Sequence, residues 1–332
     1  MDAKPVKMNQ IKKSTCWIAI IFMIFYSISL YAQSDSGVMH KGKSHVRISL
    51  NAYSFNKSLM DNKVNGHGGM SLFELIDWSA AQGFDAVDIT GYYFPGYPAV
   101  PTDEFINRVK RHAFLQGLDI SGTGVRNDFT NPDPAKRAAD VKLVKAWIDV
   151  AAKLGAPVIR IFSGPVPAGY ENRRDEVTSY MAESIKECAA YAAQRGILIG
   201  IQNHGDFIKT ADEVIKLVKM VNSDWFGVVV DSGFFLYADI EKAMPYAVNF
   251  QLKESFSGPT GPIKMDLVKI MNIVKRSGYK GYLPIETLEP PGSNKGVEVG
   301  KGAKPPYDPY NTIPVFLQEV QAARHLVFNN PF

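Results

Sequence analysis

The chain has 332 residues, 46% of them apolar and 21% charged, with 37 Lys and Arg against 33 Asp and Glu for a net charge of +4. That composition is ordinary for a globular protein and provides core enough for one large α/β domain or two smaller ones. The positive excess lies mostly in the first 32 residues. Without their four Lys and one Asp, 33 basic and 32 acidic residues remain, a net charge of +1 that gives no argument for a nucleic-acid partner.

Lys4, Lys7, Lys12 and Lys13 precede the apolar stretch Trp17–Leu30, which runs into Tyr31, Ala32, Gln33 and Ser34. A basic start, an apolar centre and a small residue before a polar segment form the pattern of a secretory signal over residues 1–32, cut near Ala32. The run is shorter than the ~20 residues of a spanning helix. The reading is an exported, periplasmic protein that has no membrane contact once the leader is removed. Residues 33–45 form a loose mature N-terminus. Only Cys188 remains after cleavage, so no internal disulfide can form.

From residue 46 onward, short β-branched runs alternate with amphipathic stretches. The expected strands are Val46–Ala52, Ala86–Thr90, Asp119–Gly124, Pro157–Phe162, Leu198–Asn203, Phe226–Val230, Ala247–Lys253 and Gly281–Ile285. The expected helices are Ser71–Gln82, Thr102–Gln116, Pro134–Leu154, Arg174–Arg195, Thr210–Val221, a short one near Ala238–Met244, Asp266–Arg276 and Asp308–Phe328. Asp133 before Pro134 reads as a cap followed by proline at the first helical position, and Gly155 closes that helix. Thr210 and Glu213 form a capping box, while Gly196 and Gly278 mark two further helix ends.

Eight strand–helix units in one chain predict a parallel sheet closed into a single (β/α)8 TIM barrel over residues 46–332. No Gly-x-Gly-x-x-Gly follows the first strand, and no phosphate-cradling Gly-Lys-Ser/Thr loop occurs. In such a barrel the site is built at the C-terminal ends of the strands. Two long connections, Asn51–Met70 and Leu288–Tyr310, fall at that end and are expected to be lids.

Four of the later strands end on polar residues that converge if the strands are adjacent: Gln202, Asp231, Gln251 and Glu286. Residues two apart share a face, so Gln202 pairs with His204, Gln251 with Lys253 and Asp88 with Thr90. Arg160, and Arg126 after the third strand, add positive charge for a substrate oxygen. Each residue also has a plainer reading. A strand-end carboxylate can cap a loop, Lys253 can pair with Glu254, and Asn203 faces away to bond backbone.

The motifs GIQNHGDF (Gly200–Phe207), VVVDSG (Val228–Gly233), FQLKE (Phe250–Glu254) and GYLPIETL (Gly281–Leu288) resemble the xylose-isomerase-like sugar isomerase/epimerase superfamily. DAVDITGYYFPGYP (Asp85–Pro98) is similar to the second strand and loop of an exported subgroup. The resemblance implies a divalent cation, Mn²⁺ or Mg²⁺, held through Gln202, Asp231, Gln251 and Glu286, with Gln standing where the pattern has Glu and His. Gln carbonyls can still ligate a hard cation, and His204 is a substitute nitrogen ligand.

The resemblance also implies proton transfer next to a carbonyl on a sugar or keto-sugar. Glu286 is then the base, with His204 and Lys253 as partners, and Arg160, Asp88, Tyr92 and Arg126 bind the small carbohydrate substrate. Gln202 cannot accept a proton, which disfavours epimerisation between two carboxylates and favours one-base chemistry. That leaves aldose–ketose isomerisation or β-elimination from a 3-keto-glycoside. Tyr92, Tyr93 and Tyr97 suit the larger glycoside. A non-catalytic sugar-binding barrel is the alternative from another class. The sequence does not set the oligomeric state.

Overall fold

The computed structural model describes residues 45–258, 261–288 and 307–329. The expected leader (1–32), nearly all of the expected loose N-terminus, and most of the second expected lid lie outside the described residues.

Ten strands are present among the described residues. Eight of them, β1 (Arg47–Asn51), β2 (Ala86–Thr90), β3 (Asp119–Gly124), β4 (Val158–Ile161), β5 (Leu198–Gln202), β6 (Phe226–Asp231), β7 (Ala247–Lys253) and β10 (Tyr282–Glu286), pair in parallel. Their order around the sheet, β1-β10-β7-β6-β5-β4-β3-β2, closes on itself. The fold is therefore the single (β/α)8 barrel that the alternation predicts, with strand bounds within two residues of those expected.

Local chemistry explains the helices. In the helix Pro134–Leu154 the Asp133 carboxylate accepts the Ala135 N–H at 2.8 Å, and Gly155 ends it in the left-handed region at φ 82°. Thr210 and Glu213 cap Ala211–Val221 reciprocally, and Ser71 and Glu74 do the same for Leu72–Gln82. Leu75, Ile76, Trp147, Ile148, Val214 and Leu217 turn inward from these helices and are buried against the sheet. Among the described residues no helix is long and apolar enough to cross a membrane, and Cys188 is a buried free thiol.

Two features differ from expectation. The connection after β1 carries secondary structure of its own. Asn51 caps a 3-10 turn, Ala52–Phe55, which runs directly into a helix, Asn56–Asn65. The weak amphipathic pattern of Asn56–Asn65, in which only Leu59 is buried, hid that helix from periodicity. A short antiparallel hairpin, β8 (Ser255–Gly258) with β9 (Gly261–Lys264), follows β7 and was not foreseen.

Candidate active site

β7 supplies the spine of the site. Its residues alternate faces, so Asn249, Gln251 and Lys253 climb one side of the strand from the barrel interior to its mouth. Each meets a polar partner. Asn249 Nδ2 donates to Asp88 Oδ2 at 3.2 Å, Gln251 Oε1 accepts from Gln202 Nε2 at 3.1 Å, and the Lys253 ammonium donates to Glu286 Oε2.

The strand registers set the cluster at the mouth. Asp231 lies opposite Gln251, and Glu286 lies opposite Lys253. Asp231 is fully buried and its oxygens are committed. Oδ1 accepts the Gly233 N–H at 2.9 Å, while Oδ2 accepts Gln202 Nε2 at 2.7 Å and lies 3.7 Å from Lys253 Nζ. Asn203 faces the other way and ties β5 to β6. Its Nδ2 donates to the Asp231 carbonyl at 3.0 Å, and its Oδ1 accepts the Asp231 N–H at 2.7 Å. Lys253 thus pairs with Glu286 and Asp231 rather than with neighbouring Glu254.

Burial shapes the ionisation of this pair. It pushes the Glu286 carboxyl up, against the pull of the Lys253 ammonium. For Lys253, burial disfavours the charge, but Asp231 and Glu286 together outweigh it and hold the amine protonated to higher pH than usual.

The cluster opens into a cavity of about 570 Å³, whose walls include Asn51, Tyr92, Arg126, Arg160, Gln202, His204, Gln251, Lys253 and Glu286. Arg160 Nη1 donates to the Val125 carbonyl at 2.7 Å and to the Tyr92 hydroxyl at 3.1 Å, and its guanidinium stacks 4.0 Å from the Phe162 ring. Arg126 is exposed, with its guanidinium 5.5 Å from the Tyr92 ring. The Tyr97 hydroxyl accepts the Arg126 backbone N–H at 2.8 Å.

Two expected site residues share a pocket with their parity partners, Asp88 with Thr90 and His204 with Gln202, but stand apart from the strand-end cluster. β5 ends at Gln202, so parity no longer governs His204. Its ring lies between Phe162 and Phe234, with centroids 4.9 and 5.1 Å away, and its Nδ1 is 3.2 Å from Asp206 Oδ2. His204 therefore belongs to the outer wall of the cavity, where it meets Phe162, Asp206 and Phe234 rather than the strand-end cluster. Asp88 lies below the mouth. It is buried against Asn249 and borders a smaller pocket with Arg160, Thr90 and Gln251. Burial raises its pKa to about 7, against the pull of Arg160.

The outer wall also contains residues to which sequence reasoning gave no role in the site: Phe162, Asp206 and Phe234 on the loops after β4, β5 and β6. They follow strand ends without a periodic signal, and only closure of the barrel brings them together.

The chemistry of the donor set does not fit the divalent cation implied by the resemblance. Gln202 turns its amide nitrogen, a donor, toward Asp231 and Gln251. An ammonium already stands between the two carboxylates. Among the described residues, no three His, Cys, Asp or Glu side chains gather as a ligand group.

Comparison with known proteins agrees with the fold. The family pattern described as a xylose isomerase-like TIM barrel matches residues 76–303, more than two-thirds of the chain. An inosose dehydratase of Glaesserella parasuis is 24% identical, the match covering 55% of this chain and 74% of that protein. D-psicose 3-epimerase from Clostridium cellulolyticum, solved with D-tagatose, superposes with a TM-score of 0.64 at 20% identity, over 85% of this chain and 98% of that one. The 3-keto-D-glucoside 4-epimerase of E. coli superposes at 0.61 and 13% identity, over 83% and 99%.

Proposed function

This chain belongs to the xylose isomerase-like TIM barrel family, and on that premise we propose that it is an enzyme of the sugar isomerase and epimerase kind that moves a proton from a carbon next to a carbonyl of a sugar or keto-sugar. One observation supports this above the others. A buried carboxylate, Glu286, is hydrogen-bonded to a buried ammonium, Lys253, at the cavity end of a barrel. Enolisation needs a base beside a positive group that can meet the oxygen as it gains charge.

In this reading Glu286 takes the proton. The C–H electron pair becomes the new C–C π bond, and the carbonyl π pair moves onto oxygen. Lys253 holds that oxygen by a hydrogen bond and keeps its own proton. Gln202, across the cluster, is an amide and cannot supply a proton to the opposite face. The same base must therefore return it. Return to the former carbonyl carbon, with a proton passed between the two oxygens, isomerises the sugar.

A second outcome is supported by the shape of the cavity. Where a glycosidic oxygen stands β to the carbonyl, the enolate can expel it, re-forming the carbonyl and a C–C double bond, while the departing oxygen takes the proton that Glu286 removed. The cavity extends outward past Arg160 to Phe162, His204 and Phe234, which gives space for the departing group beyond one sugar ring.

Incubation of the protein in D₂O with D-fructose, D-psicose and a 3-keto-glucoside tests the reading. Deuterium should enter the carbon beside the carbonyl, as seen by loss of its proton NMR signal, and elimination should also release the aglycone. Saturable binding of the sugars with no exchange would mark a sugar-binding barrel and overturn the proposal.

Gly124 gives a more local test. A Cβ there would stand 2.9 Å from the Arg160 Cζ and Nε, so Gly124→Ala has to push the guanidinium off Tyr92 and the Val125 carbonyl. The obstacle is the end of a flexible side chain rather than backbone, so the fold should tolerate it. The expected result is KM raised by about tenfold, the loss of one charge-assisted contact, with the melting temperature nearly unchanged. Unaltered KM would remove Arg160 from substrate binding.

A further inference from the structure

We propose that Lys253 is the built-in cation of this site and that the strand-end cluster works without a divalent metal. The proposal rests on the reaction above only for the role of the ammonium. Its exclusion of a metal is a matter of charge and donor geometry and needs no substrate.

Three observations carry it. First, the Lys253 ammonium is hydrogen-bonded to Glu286 and lies 3.7 Å from Asp231, so it already stands between the only two carboxylates of the cluster. A divalent ion added between them would set three positive charges against two negative ones inside a buried pocket, with like charges in contact. Second, the two glutamines are arranged for an ammonium-neutralised site. Gln202 spends its Nε2 on Asp231 and on the Gln251 carbonyl oxygen, so that both Asp231 oxygens, Gln251 Oε1 and Glu286 Oε2 each face an N–H donor. An ion would have to turn that amide over and break both bonds. Third, the lysine is fixed from behind, because its backbone N–H donates to Ser232 Oγ at 2.9 Å and its side chain is only 10% exposed. It cannot swing out to solvent without leaving both carboxylates unpaired in a buried site.

The functional consequence is that the ammonium itself polarises the substrate carbonyl. An ammonium has three donors; one is bonded to Glu286, and Asp231, at 3.7 Å, is an ion-pair neighbour beyond hydrogen-bond distance, so donor capacity remains for the substrate oxygen. The site then needs no metal loading step, and chelators leave it intact.

The test is metal binding by full-length mature protein, measured by Mn²⁺ titration followed by electron paramagnetic resonance, with melting curves in EDTA and in Mn²⁺. Wild type should show no saturable Mn²⁺ binding and no change in melting temperature between the two conditions. In Lys253→Met the two carboxylates lose their ammonium, and affinity for Mn²⁺ should rise on the order of a hundredfold. Adding Gln202→Glu and Gln251→His to Lys253→Met should strengthen binding further and keeps the test open if the single variant folds poorly. Stoichiometric Mn²⁺ on wild type, or no gain in the folded variants, overturns the proposal. Absence of sugar turnover in wild type with this binding pattern intact would overturn only the reaction and leave the metal-free site standing.

Discussion

Glu286→Gln is expected to lower kcat by about a thousandfold, the range associated with removal of a positioned general base. The substitution keeps the shape of the side chain and an oxygen that can still accept from Lys253, so packing around β10 should survive. What it removes is the ability to hold a proton. Deuterium exchange from D₂O into the substrate should fall by the same factor as turnover, while sugar binding remains within a few-fold of wild type. That split between binding and exchange distinguishes loss of the base from loss of the site. Retention of more than about a tenth of the exchange rate would move the base elsewhere. His204, on the outer wall beside Asp206, would be the first residue to test.

The second large effect concerns stability and its dependence on pH. Asp88 is buried at the interior end of the β7 ladder, with Asn249 Nδ2 on its Oδ2, and its carboxyl is raised to about 7 from an ordinary value of 3.8. The folded state therefore holds this proton more tightly than the unfolded chain does. The associated stability is fully present below about pH 4 and is lost as pH rises through about 7.

Asp88→Asn removes that titration and can keep an oxygen toward Asn249. Relative to wild type, the variant should be more stable by about 2 kcal/mol at pH 5 and about 4 kcal/mol at pH 8.5, an upper bound from the size of the shift. Urea unfolding of both proteins at the two pH values measures this. A difference that does not grow with pH would show that Asp88 ionises normally, with the Arg160 guanidinium in the same small pocket carrying its charge.

Much of the architecture is legible because its signals are local. Asp133-Pro134 and Thr210-x-x-Glu213 announce helix starts by satisfying backbone N–H groups that would otherwise lack partners. The apolar runs ending at Gln202, Asp231, Lys253 and Glu286 read as strands because both their faces are buried, as in a barrel wall. The convergence of Gln202, Asp231, Gln251 and Glu286 follows once those strands are taken as parallel neighbours.

The departures have equally physical causes. Asn56–Asn65 buries little besides Leu59, so its helix leaves no stripe to read. His204 lines the same cavity as Gln202, but it lies beyond the end of β5, so its place on the outer wall is set by the loop rather than by strand alternation. Phe162, Asp206 and Phe234 lie on separate loops and become one wall only when the barrel closes.

By itself, then, the sequence determined the eight strand–helix units, the barrel end at which polar side chains gather and the four strand-end residues that meet there. These depend on periodicity, capping and chain order, which act over a few residues at a time. Only the tertiary structure decided how those residues are paired. The register of β7 against β6 and β10 places the Lys253 ammonium between Asp231 and Glu286 and turns the Gln202 amide toward a carboxylate. The same four strand ends could have surrounded a metal ion. Whether a cation comes from solvent or from the chain depends on distances of a few ångströms between residues tens of positions apart, and no local pattern encodes those.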